Sequence, residues 1–533
     1  MPAILPTALV ALSLLLLTKI WSNIQWHRKY KLPPGPRGIP FFGNMFQMPP
    51  YHQGPWAQQM AQKYGEMFTL HIANTPWVFL NTPRAVSDLL EKRSAIYSSR
   101  PRFPYASTLM SGDCRVVLQP YGAQWRATRK IMHSILNAKN GGTFAPFQEV
   151  ESRQLVLDVL RRPEMWWKAN QRFANGVVMS VVFGKRVGGE EGMEGGEEKK
   201  TREGKSGVVE KSNVDKLFDT SQEFIAALQP GANLVDTFYF LDRLPKALKW
   251  WTRRGEDAFE RLLNVYGAEV GDLKERMERG TCPPCFASKF LDDPESEKLG
   301  ETQRLFALGS LMEAGSDTSR MTLSQIVAAA ATDRRWVKEA QAALDRVCGV
   351  AARLPEFNDR GQLPYLSAVV KEGFRWRPFA EIGMFHTLIN DDIYEDYHFP
   401  AGTVFTWNAW HIALNPDEYP DPLRFWPERW LDPSIQSIDP GKVEDPLAGH
   451  WSFGAGRRVC TGYHVGDSNV WIAAARLLYC FNFEQVAGKE IDTLNMNVAE
   501  HRWAPFDVKI TARSEAHRRL IERCGGEAVG VTY

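Results

Sequence analysis

The sequence predicts a mainly α-helical body with a small β-rich lobe, preceded by an N-terminal transmembrane helix. Three observations lead to this prediction: helical periodicity dominates the body, strand-like stretches are few and short, and residues 3–24 are nearly all apolar. The predicted helices cover residues 55–64, 83–97, 122–136, 150–160, 218–227, 256–279, 302–331, 333–348, 363–376 and 465–483. The predicted strands cover residues 67–72, 77–81, 387–389, 403–408 and 505–511.

The apolar N-terminus is the first element of this fold. Residues 3–24 are long enough to cross a bilayer of about 30 Å, because a helix rises about 1.5 Å per residue. Neither a basic segment before it nor a small-residue cleavage site after it is evident, which favours a retained anchor over a cleaved signal peptide. Arg28, Lys29 and Lys31 follow it, so the positive-inside rule predicts a body that faces the cytosol.

Composition excludes several classes of protein. The net charge of the 533-residue chain is only +2, so no basic field indicates a nucleic-acid partner. Seven cysteines, an odd number, form no evident disulfide framework, and free thiols fit a reducing compartment. Residues 188–213 are rich in Gly, Glu and Lys with almost no apolar side chain, which predicts a disordered surface insertion.

The run from Phe453 to Gly462, with the sequence FGAGRRVCTG, is the most informative segment of the chain. Glycines and an arginine pair precede Cys460, and the apolar-periodic stretch 465–483 follows it. This order predicts a glycine-rich loop that places a cysteine at the start of a helix. Because a helix N-terminus favours negative charge, we expect Cys460 to be biased toward thiolate, as either a nucleophile or a metal ligand.

A polar cluster interrupts the long predicted helix 302–331. Its residues 314–319 read AGSDTS, and most of them are poor helix formers. Serine and threonine hydroxyls divert hydrogen bonds to nearby carbonyls, which distorts helices, often at functional sites. An acid beside an alcohol, Asp317 beside Thr318, could relay protons into a buried pocket. A polar kink against a neighbouring helix is the alternative.

Two further pairs lie on predicted helix faces. Glu372 and Arg375 are three residues apart, and with Arg429 they could form a buried bidentate clamp rather than an ordinary exposed pair. Trp125 and Arg129 are four residues apart, which places an indole N–H beside a guanidinium. That pair suits a carboxylate ligand, although an amphipathic helix with a snorkelling arginine explains it equally well.

These four elements, in this order and spacing, resemble the cytochrome P450 haem-thiolate monooxygenases. The resemblance covers the chain from the Pro-Pro-Gly-Pro hinge (33–36) to the segment 505–510, and the cysteine run is its most specific motif. The segments 375–378 (RWRP), 408–411 (NAWH) and 473–478 (AAARLL) are similar to those of fungal microsomal members. The resemblance implies the cytochrome P450 fold, which is mostly helical with a β-rich lobe.

The resemblance also implies roles residue by residue. Cys460 matches the axial thiolate ligand of the haem iron, whose anionic sulfur favours O–O cleavage. The positions that match haem-binding groups are Trp125, Arg129, Ala314, Gly315, His386, Phe453, Gly454, Arg458, Cys460 and Gly462. Asp317 and Thr318 match the acid–alcohol pair that supplies protons for oxygen activation. A structural triad is matched by Glu372, Arg375 and Arg429.

The chain departs from the family motif just before His386. Met384-Phe385-His386 stands where many fungal relatives have Pro-His, so the backbone before His386 is expected to differ.

The residues expected to line the substrate pocket are Phe103, Met110, Phe306, Met312, Phe379 and Met384. They make the pocket apolar and adaptable, which predicts a hydrophobic, fairly bulky substrate. Glu313 could contact a polar or basic group of that substrate, or be a solvated or haem-edge carboxylate.

The implied reaction inserts one atom of O2 into a C–H bond and releases the other as water, with the consumption of two electrons and two protons. The cofactor is haem b, which carries the difficult chemistry. Since the chain has no flavin or nucleotide motif, the electrons are expected from NADPH through a membrane-bound NADPH–cytochrome P450 reductase, with cytochrome b5 as a second candidate donor. Fungal members of this type often act in secondary-metabolite pathways, and by analogy we expect the same here.

Other functions stay open at this point. They are a hydroxylase of fatty acids, aromatic acids or xenobiotics, a haem-thiolate isomerase or dehydratase that needs neither oxygen nor reductase, and a non-enzymatic haem-binding protein. The expected organisation is a membrane anchor (1–26), a basic and proline-rich hinge (27–40) and a catalytic domain (41–533). The expected location is the endoplasmic reticulum membrane, with a single N-terminal anchor and the catalytic domain in the cytosol.

Overall fold

The structure, a computed structural model, describes residues 21, 25–26, 28–187, 213–229, 231–435, 438–500 and 502–533. Most of the predicted anchor (1–26) and all of the predicted insertion except residue 213 lie outside these residues, so both stay predictions. Among the residues that are described, no helix is both long enough and apolar enough to cross a membrane.

Helices build most of the described body, as predicted. In chain order the α-helices are α1 (Gln53–Tyr64), α2 (Pro83–Val86), α3 (Ser94–Tyr97), α4 (Ala123–Leu136), α5 (Gly141–Arg161), α6 (Trp166–Phe183), α7 (Asn213–Ala227), α8 (Leu234–Thr237), α9 (Thr252–Glu278), α10 (Phe286–Leu291), α11 (Pro294–Glu297), α12 (Glu301–Thr332), α13 (Arg334–Cys348), α14 (Pro364–Trp376), α15 (Ala409–Ala413), α16 (Tyr463–Cys480) and α17 (Glu515–Val529). Two π-helical segments, Ser87–Lys92 and Pro104–Leu109, lie between them. The mainly helical class is therefore confirmed.

The β-rich part is small, again as predicted. The described strands are β1 (Met67–Ile72), β2 (Thr75–Leu80), β3 (His386–Thr387), β4 (Asp392–Tyr394), β5 (Tyr397–Phe399), β6 (Val404–Trp407), β7 (Phe481–Gln485) and β8 (Val508–Ala512). A four-stranded sheet has the order β1-β2-β6-β3, and β4-β5 and β7-β8 form two separate pairs. Strand β6 runs parallel to β2 and antiparallel to β3. Since β2 and β6 are far apart in sequence, the four-stranded sheet joins distant parts of the chain.

Helix α12 runs through the core, and two neighbours fix its middle. Residues 169–183 of α6 are all buried, and Gly315 lets α12 approach them, since an added Cβ would lie 2.5 Å from Cγ2 of Val178. On another side, Asn469 of α16 donates to the Ser319 hydroxyl (3.4 Å). The polar cluster of α12 is thereby held beside α16, the helix that follows the cysteine run.

The predicted helix 83–97 is divided in the structure. Helix α2 starts at Pro83 and is capped by Thr82, whose hydroxyl accepts the Ala85 N–H (3.2 Å). The chain then becomes π-helical before α3. Gly456 of the cysteine run approaches this segment so closely that an added Cβ would lie 2.0 Å from the Leu90 carbonyl oxygen. Such π-helical irregularities are frequent at functional sites, and here the irregular segment supports the cysteine run.

Candidate active site

The cysteine run is a tight loop held by its own backbone. Gly454 (φ 82°) and Gly456 (φ 56°) adopt left-handed conformations that other residues enter only with strain. The Cys460 N–H donates to the Phe453 carbonyl (2.8 Å), which closes the loop. The Phe453 ring packs against Phe374, with 4.9 Å between the ring centroids. The loop therefore presents the Cys460 side chain from a fixed backbone.

The Cys460 side chain combines accessibility with dense protein surroundings. It is accessible to solvent, yet the surrounding protein is dense enough that burial raises the pKa of the thiol. The Gly462 N–H donates to the sulfur and the Arg129 guanidinium lies near it, and both act to lower that pKa. Without a bound cation, desolvation outweighs these favourable contacts, and α16, which begins only at Tyr463, does not reverse this balance. A bound metal cation removes the proton of a coordinating thiol by its own charge.

Two side chains in the middle of α12 are accessible although this part of the helix lies in the interior of the protein. Ala314 and Thr318, one helical turn apart, are exposed, whereas the intervening Ser316 and Asp317 are buried. An exposed stripe in the middle of a buried helix indicates an internal cavity. The Thr318 hydroxyl donates to the Ala314 carbonyl (3.1 Å), as predicted for a mid-helix alcohol, but α12 continues without a break. The close contact with α6 explains why residue 315 is a glycine, because a Cβ there would collide with Val178.

Asp317 is turned away from this stripe and forms an ion pair within its own helix. Arg320 donates to Asp317 Oδ1 from Nε (2.7 Å) and also from Nη2. The same guanidinium binds the carbonyls of Val498 (3.1 Å) and Glu500 (2.9 Å). Asp317 Oδ2 is buried with no hydrogen-bond partner in the described part of the chain. Burial raises the pKa of Asp317, and Arg320 opposes this only in part. The acid and the alcohol are thus adjacent in sequence but point to different surroundings.

Trp125 and Arg129 of α4 meet Arg458 in a basic cluster. The Arg458 guanidinium lies 4.1 Å from the Trp125 ring centroid, and that of Arg129 lies 5.4 Å from it. Arg129 donates to the Val459 carbonyl, next to the cysteine. Arg458 donates to two backbone carbonyls at 2.7 Å each. Its remaining nitrogen, Nη1, is buried and makes no hydrogen bond with a described residue.

Arg100 belongs to the same cluster, although no sequence pattern marks it. It precedes a proline in a loop, without a helical partner at a fixed spacing. In the structure its Nε donates to the Val117 carbonyl (2.9 Å) and its Nη1 to the Phe385 carbonyl. Burial, followed by repulsion from Arg458 and Arg129, lowers the pKa of Arg100 far below its usual value. This residue is the main addition that the structure makes to the predicted site.

His386 lies in β3, beside the cluster. It is buried, and its Nδ1 is 2.8 Å from the Tyr97 carbonyl oxygen. Since a carbonyl can only accept, Nδ1 carries the proton of this hydrogen bond. Burial and the nearby Arg100 lower the pKa of His386 well below its ordinary range, so the protein environment alone favours the neutral ring.

Glu372, Arg375 and Arg429 meet in a fully buried ion cluster, as the sequence predicts. Arg375 donates from Nε and Nη2 to the two carboxylate oxygens (2.8 and 2.7 Å), and Arg429 Nε adds a third contact (3.2 Å). The Trp430 indole N–H donates to the same carboxylate (3.0 Å). Burial alone would raise the pKa of Glu372, but the two arginines outweigh it and lower the pKa. With side chains at most 1% exposed, the cluster is inaccessible to a substrate.

The residues expected to line the substrate pocket are apolar and mostly interior. The fully buried ones are Phe103, Met110, Phe306 and Met312, and the half-buried ones are Phe379 and Met384. Phe306 lies between the rings of Phe259 (5.8 Å) and Tyr266 (5.4 Å). Which of these side chains touch a substrate stays a prediction. Glu313 is not solvated, contrary to one alternative for it, because it is buried in an ion pair with Arg115.

Comparison with known proteins identifies the family. The family model described as Cytochrome P450 matches residues 33–502. The chain is 32% identical over 526 residues to cytochrome P450 monooxygenase verL of Clonostachys rogersoniana, with 96% of this chain and 92% of that protein covered. It is 30% identical to fogE of Aspergillus ruber (95% and 92% covered) and 30% identical to aneD of Aspergillus aculeatus (93% and 91% covered). The chain therefore belongs to the cytochrome P450 family, and it is an oxidoreductase of the monooxygenase type.

Family membership implies a haem iron with a cysteine thiolate ligand, and the site fits that group. Among the described residues, no carboxylate raises the pKa of Arg100, Arg129 or Arg458. The acidic groups that do so are the Cys460 thiol for Arg129 and the Tyr121 phenol for Arg458. Buried guanidiniums without a carboxylate partner are unfavourable, and a ligand with two carboxylates, such as the propionates of haem, would neutralise them. When bound, haem supplies the oxygen-activating redox chemistry that side chains lack.

Proposed function

We propose that this monooxygenase oxidises a hydrophobic, fairly bulky small molecule in a fungal secondary-metabolite pathway. The observation that carries the substrate class is the apolar surrounding of α12, where Phe306 packs among aromatic rings and Met312, six residues further along, is buried. Rings and flexible methionines adapt to large apolar ligands. The three relatives compared above all come from fungi, which supports the choice of pathway class.

In this proposal several groups of the chain would hold haem. Cys460 would provide the thiolate ligand of the iron, and the Gly462 N–H, which donates to this sulfur, would withdraw charge from it. The groups assigned to the propionates are Trp125, Arg129, Arg458, His386 and, in addition, Arg100. Ala314 is exposed on the face of α12 assigned to haem, whereas Gly315, which matches a haem-side position of the family, packs against α6. Phe453 and Gly454 would shelter the sulfur.

Thr318 and Asp317 are assigned to proton supply. The Thr318 hydroxyl is exposed to the internal cavity and can donate there by releasing its bond to the Ala314 carbonyl. Asp317 Oδ2 has no hydrogen-bond partner among the described residues, and burial already raises the pKa of this carboxyl. A rotation that frees Asp317 from Arg320 would let it pass a proton from the 498–500 side toward Thr318.

We also infer an endoplasmic reticulum location, with electrons from NADPH–cytochrome P450 reductase and cytochrome b5 as a second candidate donor. The body carries an aromatic patch, which we define as Phe41, Phe42, Phe46 and Phe240, with Phe41 71% and Phe46 68% exposed. Phe42 contacts Phe238 edge to face (5.7 Å), which joins the two segments into one surface. Exposed aromatic rings near an N-terminal anchor suit a membrane interface.

A spectral and turnover experiment tests the proposal. Reduced protein with carbon monoxide should show the red-shifted Soret band of a thiolate ligand; Cys460→Ala should lose it, and Cys480→Ala, a change at a buried thiol of α16, should keep it. With reductase and NADPH, polycyclic or aromatic metabolites should stimulate oxygen consumption and yield hydroxylated products. Turnover of such a metabolite without oxygen and NADPH would favour an isomerase or dehydratase instead. A response to fatty acids alone would contradict the substrate class.

A further inference from the structure

A buried polar cluster connects α9 and α12 to the segment that follows the second π-helical turn. The Arg115 guanidinium pairs with Oε2 of Glu313, and the Tyr266 hydroxyl donates to Oε1 of the same carboxylate (2.6 Å). Arg115 Nε donates to the Ser111 hydroxyl (3.1 Å). The Arg115 and Glu313 side chains are 1% and 8% exposed, so the cluster is an interior one.

The hydrogen bonding of this cluster is incomplete. Arg115 Nη2 is buried and makes no hydrogen bond with a described residue, and the same holds for the Ser310 hydroxyl. Ser310 lies four residues after Phe306 and three before Glu313, which puts all three on one face of α12. Buried donors left unpaired cost free energy. Two of them in one region indicate a place for an acceptor, filled by water between turnovers or by an oxygen of a ligand.

The cluster borders the region assigned to the substrate. Glu313 immediately precedes Ala314, whose side chain faces the internal cavity. The Arg115 guanidinium carbon lies 3.8 Å from the ring centroid of Phe224 and 5.7 Å from that of Phe306. These rings cover the cation with an apolar wall. A ligand that hydrogen-bonds to Arg115 Nη2 must therefore be apolar except at the acceptor atom of that hydrogen bond.

The charge of the cluster decides which kind of oxygen fits. Glu313 already neutralises Arg115, and burial together with this carboxylate raises the pKa of Tyr266 far above its ordinary value, so the phenol stays neutral. The cluster as a whole then carries no net charge. A carboxylate ligand would add a buried charge without a counter-ion, whereas a carbonyl oxygen accepts a hydrogen bond without that cost.

We propose that Arg115, together with Ser310, binds a neutral carbonyl-type oxygen of the substrate and thereby orients an otherwise apolar molecule. Arg115 is then a specificity-determining residue, and Glu313 is a positioning residue that holds the guanidinium and cancels its charge. The inference rests on the proposed function, because it places the substrate beside α12 of the haem-bound enzyme.

A length series of N-substituted imidazoles tests this site in the full-length, haem-loaded protein. The imidazole nitrogen binds the iron and produces a difference spectrum from which a dissociation constant is measured, while the chain extends into the substrate region. At each chain length we compare three ends: a methyl ketone, a plain alkyl group and a carboxylate.

We expect one chain length at which the ketone binds about tenfold more tightly than the alkyl ligand, with no gain for the carboxylate. Arg115→Met should remove the preference for the ketone over the alkyl ligand in protein that still shows the thiolate carbon monoxide spectrum. Arg254→Met, which removes an exposed arginine of α9, should keep the preference. A wild-type protein with no ketone preference at any length, or an Arg115→Met variant that retains it, overturns the proposal.

Glu313→Gln gives a second, independent test that does not need Arg115→Met to fold. This variant leaves Arg115 without its counter-charge, so the preference should move from the ketone to the carboxylate series. An unchanged preference in a variant with a normal carbon monoxide spectrum overturns the proposal. Failure of the haem-thiolate assignment has a different signature, because the wild-type protein would then lack the thiolate Soret band altogether.

Discussion

At the scale of single residues, the buried arginines of this protein fall into two groups. Arg172 is typical of the first, because Glu151 and Asp158 lie 2.6 and 2.5 Å from its guanidinium. Arg100 and Arg458 belong to the second, in which the guanidinium donates to backbone carbonyls, no carboxylate balances the charge, and Nη1 of Arg458 has no hydrogen-bond partner among the described residues. A buried cation of this kind is stabilised when a ligand supplies an anion. Arg377 is also buried on backbone carbonyls without a carboxylate partner among the described residues, so it is the position of Arg100 and Arg458 beside Arg129 and Cys460 that supports their assignment to haem.

Arg100→Met should weaken haem retention. Loss of one charge-assisted hydrogen bond costs about 1.5–3 kcal/mol, so we expect haem to be held roughly ten- to a hundredfold less tightly. The haem-to-protein ratio after purification and the rate of haem transfer to a haem-free acceptor protein measure this effect. Arg102→Met is the matched control, since Arg102 is exposed and pairs with Asp242. Equal haem loss in both variants would remove Arg100 from the cofactor site.

Thr318→Ala should separate oxygen consumption from product formation. The hydroxyl that faces the cavity is lost, so proton supply falls and reduced oxygen escapes as hydrogen peroxide. We expect product per NADPH to fall by about tenfold or more while the carbon monoxide spectrum is unchanged. Thr332→Ala, which removes the same kind of hydroxyl-to-carbonyl bond at the far end of α12, should leave the coupling intact. Thr318→Ser should recover much of the product yield; full coupling in Thr318→Ala would exclude the assigned role.

At the scale of elements, the sequence predicts those parts that have a one-sided apolar pattern. Helix α12 and its polar cluster are visible in the sequence, and so is α14 with its Glu372 and Arg375 pair. Helix α6 falls outside the predicted helices because residues 169–183 are buried on every side, which erases the amphipathic period. Helix α17 contains the adjacent glycines Gly525 and Gly526, which weaken its helical signal.

The site residues follow the same division between local and distant partners. Pairs three or four residues apart, such as Trp125 and Arg129, can be found from helix geometry. Arg100 and Arg115 cannot, because their partners Phe385 and Glu313 are 285 and 198 residues away in sequence. Only tertiary packing brings these residues together, so a single sequence contains no spacing that marks them.

Glu372→Gln should strongly destabilise the fold. The change leaves Arg375 and Arg429 buried without their shared counter-charge, which costs about 3–5 kcal/mol of unfolding free energy. The urea midpoint, followed by tryptophan fluorescence, measures the loss. Glu515→Gln is the matched control, since Glu515 and Arg518 have the same spacing on an exposed helix and should contribute less than about 1 kcal/mol. Similar shifts for both variants would contradict a structural role for the buried triad.

The same carboxylate should produce an acid limb in the stability profile. The pKa of Glu372 is lowered in the folded state, so its contribution is complete above the pKa of the unfolded side chain, about 4.3, and is lost as pH falls through the folded value. We expect the wild-type urea midpoint to fall below about pH 4 more steeply than that of any variant with Gln at this position that still folds. Parallel profiles of the two proteins would assign the acid limb to other carboxyls.

At the scale of the whole molecule, the hinge packs against strands of two sheets, and Phe42 of the aromatic patch accepts the N–H of Ala73, the residue after β1, through its carbonyl (3.1 Å). The Thr69 N–H of β1 donates to the Pro34 carbonyl (3.0 Å), and the His398 N–H of β5 donates to the Lys31 carbonyl (2.8 Å). Gly35 is packed so tightly that an added Cβ would lie 1.9 Å from the Thr69 carbonyl oxygen. The hinge is therefore docked on the body rather than free. A chain anchored through residues 1–26 would hold the body in one orientation, with the aromatic patch near the bilayer.

Hydrogen exchange on the full-length protein in lipid nanodiscs and in detergent-free amphipol tests this orientation. Peptides covering 39–47 and 238–241 should exchange more slowly in nanodiscs, because lipid headgroups cover the aromatic patch. Val350 and Ile393 are equally apolar and exposed (71% and 61%) but lie outside the patch, so their peptides should exchange alike in both media. Replacing Phe41 and Phe46 with serine should remove the difference at the patch, since rings that insert into the interface each contribute apolar burial. Protection spread equally over all four segments, or absent from the patch, would show that the body does not rest on the membrane in this way.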